Sequence, residues 1–269
     1  MKKLTINRGY SIGNTHFIVD TDKQVLREFL RPTNEISFVS DMLDKQTHYE
    51  LRFNTQSGSV HEKTHPDEHL QIVEVPQMTQ LDPIGMSRKY GIPEEQLKGK
   101  TDFEIIVDPE ALAIRKNGKL PIIDINGERF VVDLRMHELR HAEFFYPVIS
   151  LKSFDIADED WRYEGFYNTM LKQVVEIDPN LLEFPDHVIK IRLPLEVELD
   201  PVAVARDHGI DERDLLRRYP IQKELIAEVI PLSETEVPAM IQRNKEALQK
   251  EHAENMKKTK PVQRHRPRF

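Results

Sequence analysis

The clearest alternation of apolar and polar positions lies at 121–136. Residues 121–125 read as a strand, Asn126-Gly127 as a type I′ turn, and 129–136 as the returning strand. Phe130, Val132, Leu134 and Met136 fall on one side, with Asp133, Arg135 and His137 on the other, as expected of a strand with one buried face. Further strands are predicted at 163–168, 173–177 and 188–193. In the last of these, Ile189, Ile191 and Leu193 alternate with Lys190 and Arg192. Asp200-Pro201 predicts a helix start, because Asp accepts from the free N–H groups of the first turn and Pro lacks the N–H that would stay unpaired there. Gly209 ends that helix, and a second short one begins near Asp211. A strand at 225–230 precedes a final helix, with Ser233 and Glu236 placed as a capping box. Earlier in the chain a strand at 103–107 precedes a helix from Asp108-Pro109. Several strands with segregated helices predict the α+β class.

The same order of elements occurs twice. His69 to Leu97 aligns without a gap to His187 to Leu215, with about ten identities in roughly twenty-nine positions where chance gives about two. The matches include Leu81-Asp82-Pro83 with Leu199-Asp200-Pro201, Arg88 with Arg206, and Gly91-Ile92 with Gly209-Ile210. Upstream, Phe17-Ile18-Val19-Asp20 pairs with Phe130-Val131-Val132-Asp133, Leu26-Arg27 with Leu139-Arg140, and Tyr49-Glu50 with Tyr163-Glu164. The pattern predicts two tandem copies of one mixed module, each a hairpin or meander sheet, a short helix, a strand and a helix. The copies span 3–117 and 118–256, followed by a basic, flexible tail at 257–269.

Charge and composition narrow the function classes. The 269 residues carry 38 Lys+Arg and 46 Asp+Glu, a formal net charge of -8. Lys257, Lys258, Lys260, Arg264, Arg266 and Arg268 lie together with no acid among them. With those six of the 38 basic residues set aside, 32 remain against 46 acidic ones, so an acidic body carries a basic end. The body repels nucleic acid, whereas the six tail cations are a candidate polyanion-binding site for weak nucleic-acid contact. There is no cysteine, which excludes thiolate catalysis and Cys-ligated metal and fits a reducing, cytoplasmic setting. No apolar run is long enough to span a membrane, and the start lacks the apolar stretch of a signal peptide, so no membrane association is expected.

Two segments match the spacing of a zinc-peptidase helix: His137-Glu138-Leu139-Arg140-His141 and His61-Glu62-Lys63-Thr64-His65. That chemistry needs a helix, since only there do positions four apart converge on one ion while the Glu reaches its water. His137 continues an alternating strand, and Pro66 drives His65 out of helical geometry. Neither segment is therefore expected to hold metal. The Gly91 and Gly209 segments approach helix-turn-helix spacing, but their second helices open on Pro93-Glu94-Glu95 and Asp211-Glu212-Arg213-Asp214. Those carboxylates would face phosphate, so the segments read as packed helical turns. Asp158, Glu159 and Asp160 read as a solvated loop, and Trp161, the only Trp, as a core or interface residue. No phosphate-binding Gly loop, nucleophile elbow or dinucleotide fingerprint occurs, so no catalytic residue and no cofactor site is assigned.

Gly118-Lys119-Leu120-Pro121-Ile122-Ile123-Asp124-Ile125 running into Phe130-Val131-Val132-Asp133-Leu134-Arg135-Met136 resembles uncharacterised proteins encoded on mobile genetic elements of Bacteroidetes. Leu81-Asp82-Pro83 through Tyr90-Gly91-Ile92 to Gly99-Lys100-Thr101-Asp102-Phe103-Glu104 carries the same resemblance. It implies a genomic setting and no activity. The expectation is a non-enzymatic cytoplasmic interaction or accessory protein with an unidentified protein partner. One alternative is a zinc-dependent hydrolase using His137, Glu138 and His141. A second is a nucleic-acid-associated protein that binds through the basic tail.

Overall fold

A computed structural model describes residues 9–62, 67–157 and 161–258. Helices and mostly antiparallel sheets are mixed without alternating βαβ order, so the class is α+β. The chain forms two compact units. Among the described residues, the first gathers 9–119 together with Asp200–Lys223; the second gathers Leu120–Leu199 and 224–258. Residues 200–223 fold with the first unit because Val202, Leu216 and Ile221 are part of its apolar core.

The first unit opens with a four-stranded antiparallel meander: β1 (Gly9–Ile12), β2 (Thr15–Asp20), β3 (Val25–Glu28) and β4 (Glu35–Ser37). Then come β5 (Met42–Asp44), β6 (His48–Asn54), β7 (Ser59–Val60) and β8 (Leu70–Pro76). β6 pairs along its whole length with β8, and with β5 and β7 at its two ends. Its alternation puts Tyr49, Leu51 and Phe53 into the core. Five helices follow: α1 (Met78–Leu81), α2 (Pro83–Tyr90), α3 (Glu94–Leu97), α4 (Asp102–Ile106) and α5 (Pro109–Lys116).

The second unit has β9 (Ile122–Ile125), β10 (Glu128–Asp133), β11 (Glu138–His141) and β12 (Val148–Ser150), then β13 (Asp155–Ile156), β14 (Tyr163–Asn168), β15 (Gln173–Val175) and β16 (Val188–Leu193). After α6 (Glu196–Leu199), the helices α7 (Pro201–His208) and α8 (Glu212–Arg218) belong to the first unit. The chain re-enters the second unit with β17 (Leu225–Ile226), β18 (Glu228–Ile230) and α9 (Val237–Lys258). β17 lies parallel to β9, and β18 lies antiparallel to β16.

The strand registers of the two halves correspond. Phe17 faces Glu28 as Phe130 faces His141, and Leu26 faces Ile36 as Leu139 faces Ile149. Arg27 pairs with Asp20 at 2.8 Å, and Arg140 with Asp133 at 2.7 Å. Asp82 and Asp200 both cap their helices, accepting from Gly85 N–H at 3.0 Å and Ala203 N–H at 3.1 Å. Gly91 and Gly209 close those helices at φ of 67° and 63°, a conformation that costs glycine little.

Several local expectations change. The predicted strand 103–107 is instead helix through Ile106: Thr101 and Glu104 make a reciprocal capping box, and Ile105 and Ile106 are both buried instead of alternating. β10 stops at Asp133, because residues 134–137 turn the chain: Met136 N–H and His137 N–H donate to Asp133 and Leu134 carbonyls. Met136 is exposed as a result. The final helix starts at Val237, whose N–H is met by the Thr235 hydroxyl at 3.2 Å, so Ser233 and Glu236 are not its box.

Two buried polar clusters lock the first unit. Arg115 on α5 clamps Asp200 with Nε 2.9 Å from both carboxylate oxygens and an Nη 2.8 Å from one. Asp102 is fully buried and accepts from the Tyr49 hydroxyl and Met78 N–H at 2.7 Å and from Thr79 N–H at 2.8 Å. Its side chain thereby caps α1 from a distant part of the chain. Arg217 lies over the Tyr49 ring, with its guanidinium donating to the Val39 and Met42 carbonyls.

Gly85 in α2 is required for a close approach. A Cβ there would stand 2.1 Å from Asp82 Oδ2 and 2.4 Å from Thr21 Oγ1, displacing the helix cap or the helix itself. Gly85→Ala is expected to lower stability by about 2–3 kcal/mol, read by urea unfolding, although alanine is the better helix former. A neutral or stabilising Gly85→Ala would show that α2 does not pack this closely.

Candidate interaction site

The second unit carries a polar cluster beneath an exposed aromatic loop. Strand alternation turns Leu139 and His141 inward on β11 while Glu138 and Arg140 stay half-buried at the surface. The His141 ring meets Phe130 edge-on at 5.5 Å between centroids and stacks on Phe144 at 5.0 Å. Its Nδ1 accepts two backbone N–H groups, from Glu143 at 3.2 Å and Phe144 at 3.3 Å. Nδ1 therefore presents a lone pair, and Nε2 carries the hydrogen that is donated to Glu128 at 3.0 Å. Lys172, in the turn after β14, reaches the other oxygen of Glu128 at 2.7 Å. The Lys172 ammonium, and after it His141, holds the Glu128 carboxyl below its usual value. Burial, with the Glu128 charge as a smaller contribution, pushes the Tyr167 hydroxyl up to about 12.

This base fastens the connection between β11 and β12. Ala142 N–H donates to the Arg129 carbonyl, Phe145 N–H to that of His141, and His141 N–H to that of Pro147. With its ends tied and the Glu143 and Phe144 N–H groups satisfied by an imidazole, the loop holds three consecutive aromatic side chains outward. Phe144 and Phe145 are 67% exposed and Tyr146 77%. Trp161 is 68% exposed and is thus no core residue. Large apolar groups held in water by a rigid support are features of contact surfaces rather than of folding cores.

The zinc-like spacing resolves into this cluster. His137 stands in the turn before β11 at φ 52°, Glu138 and His141 are at opposite ends of the strand, and His141 spends both ring nitrogens on protein partners. Among the described residues no group of three or more His, Asp or Glu side chains could hold a metal ion. In the other match, His61 is buried next to the exposed Glu62, and His65 lies outside the described residues. Of the basic end, Lys257 and Lys258 close α9, while Lys260, Arg264, Arg266 and Arg268 lie outside the described residues, as do Asp158, Glu159 and Asp160. No described helix is long and apolar enough to cross a membrane.

Sequence reading missed Glu128, Lys172 and the aromatic loop. The available signal was Phe144-Phe145-Tyr146-Pro147, a run of aromatics ending on a turn residue inside a highly charged chain. No protein-family model matches the chain, and no curated protein or solved structure shows significant similarity to it.

The cluster predicts unequal roles for the two histidines. His141→Ala removes an inward ring and the acceptor for two N–H groups, and should cost about 2–3 kcal/mol. It should also raise chymotryptic cleavage after Phe144 and Phe145 in the native protein. His137→Asn suits the left-handed turn and should change stability by less than about 0.5 kcal/mol. Equal losses from both variants would contradict the assignment.

Proposed function

We propose that the chain is a non-enzymatic cytoplasmic interaction protein built from two copies of one module, and an accessory of a mobile genetic element. The observation that carries the interaction reading is the aromatic run Phe144-Phe145-Tyr146, held outward on the His141–Glu128–Lys172 base. Such side chains lose little conformational freedom on binding and bury a large area, which is why they dominate protein contact surfaces. The corresponding registers and Asp-capped helices support the duplication, and the resemblance of 118–136 and 81–104 supports the genomic setting. The polar clusters described above serve caps, ion pairs and loop anchorage, and among the described residues they include no nucleophile–base pair. The test is affinity purification from the native host, using the wild type and Phe144→Ser/Phe145→Ser, with equal melting temperatures as the control for folding. The reading expects a stoichiometric protein partner that the double variant loses. Retention of every partner by the double variant would remove the loop from the interaction.

A further inference from the structure

In the second unit the segment from Leu225 to Ile230 closes two sheet edges at once. Leu225 and Ile226 run parallel to β9, and Ala227 N–H donates to the Asp124 carbonyl at 2.8 Å. Residues Glu228 to Ile230 then run antiparallel to β16. The corresponding edges of the first unit are β1 and β8, and no described strand lies beyond either. The two edges are neighbours, since the Tyr10 hydroxyl on β1 donates to the Glu74 carbonyl on β8. The first half holds helix α4 just before α5, where the second half holds β17 and β18 before α9.

Burial follows the missing cover. On β9 and β16, Ile123 and Ile191 are fully buried; their counterparts Tyr10 and Val73 are only half-buried, and Ile72 on β8 is 58% exposed. The main chain is also suitably turned. Asp124 directs its carbonyl away from β10 to Ala227, and Ser11 occupies the Asp124 position in an identical hairpin register, where Ile12 faces Thr15 as Ile125 faces Glu128. In an antiparallel pair successive residues direct their main-chain groups to alternate sides, so Gly9 and Ser11 present N–H and C=O groups outward.

We infer that the β1 and β8 edges of the first unit form a peptide-binding site for an extended segment of a partner protein, parallel to β1 and antiparallel to β8. The inference rests on the duplication reading and is independent of the aromatic loop. Its ligand class follows from the internal occupant: about six residues, apolar-any-small, then apolar, as in Leu225-Ile226-Ala227 and Val229-Ile230. Main-chain hydrogen bonds at Gly9, Ser11 and Ile72 supply the binding, the Glu74 carbonyl being already held by the Tyr10 hydroxyl, and the half-buried Tyr10 and Val73 select apolar side chains.

The experiment is amide NMR of the full chain titrated with a peptide of residues 224–231 and with its scrambled form. The site predicts shift changes at Gly9, Ser11 and 71–74, none with the scrambled peptide, and their loss in Ser11→Pro. That variant removes an outward N–H while leaving the β2 ladder intact, and its melting temperature should match that of Ser11→Ala, which likewise lacks the Ser11 hydroxyl bond to His16 but keeps the N–H and the shifts. Hydrogen exchange of the free protein provides a second measurement, with Ser11 exchanging faster than Asp124. Absence of shifts on β1 while Asp124 stays protected would overturn the site alone. A Ser11 amide already protected in the free chain, whether by its own residues or by a second copy, would overturn it too. Fast exchange at Asp124 would show β17 unseated, and would remove the duplication reading together with the site.

Discussion

Arg115→Met should unfold the protein more readily by about 3–5 kcal/mol, the largest loss expected of any single substitution. The reason is asymmetry. Arg115 and Asp200 are both buried and meet through three contacts of 2.8–2.9 Å, so the pair offsets the cost of taking two charges out of water. Removing the guanidinium leaves a carboxylate in the same low-dielectric place with only the Ala203 N–H to satisfy it. Adding Asp200→Asn to Arg115→Met should recover part of the loss, because the amide oxygen still caps α7 and the stranded charge is gone. Urea unfolding of the three proteins gives the values. A loss below about 1 kcal/mol in Arg115→Met would mean that the pair is solvated and that α5 and α7 do not clasp.

Asp102 should show a comparable effect with a pH signature. Asp102→Ala leaves Tyr49, Met78 and Thr79 donors facing apolar surroundings, and stability should fall by about 3 kcal/mol or more. Burial pushes the Asp102 carboxyl above its ordinary value of 3.8, against the opposing pull of its donors. A carboxyl raised in the folded state favours folding most when protonated. Its contribution is therefore fully present below 3.8 and declines as pH rises through the raised folded value. Relative to Asp102→Asn, which cannot titrate, the wild type should lose stability as pH rises from about 4 upward. A difference that grows with pH would reverse the assigned direction.

Local rules were legible in the sequence wherever one residue decides a backbone conformation. Asn126 and Gly127 adopt φ of 53° and 87°, as the turn requires, and Asp82-Pro83, Asp108-Pro109 and Asp200-Pro201 all start helices. The failures arose where apolar runs are ambiguous. Phe103 to Val107 has β-type composition, but Thr101 and Glu104 close a capping box that selects helix. The anchoring clusters were out of reach for a different reason. Tyr49 and Asp102, or Arg115 and Asp200, are brought together only by the tertiary fold, and nothing local marks a carboxylate as buried. The histidine spacing misleads in the opposite direction, since positions four apart share a face on a strand as well as on a helix, but diverge once a turn intervenes at His137.

That reassignment is tested most directly by metal analysis of protein purified without added metal, paired with melting curves with and without a chelator. The account predicts no stoichiometric zinc and an unchanged melting temperature, because both His141 nitrogens are engaged by Glu128 and the loop backbone. One zinc per chain, lost on chelation and in both His137→Asn and His141→Ala, would contradict the structural role of His141 and restore the hydrolase reading.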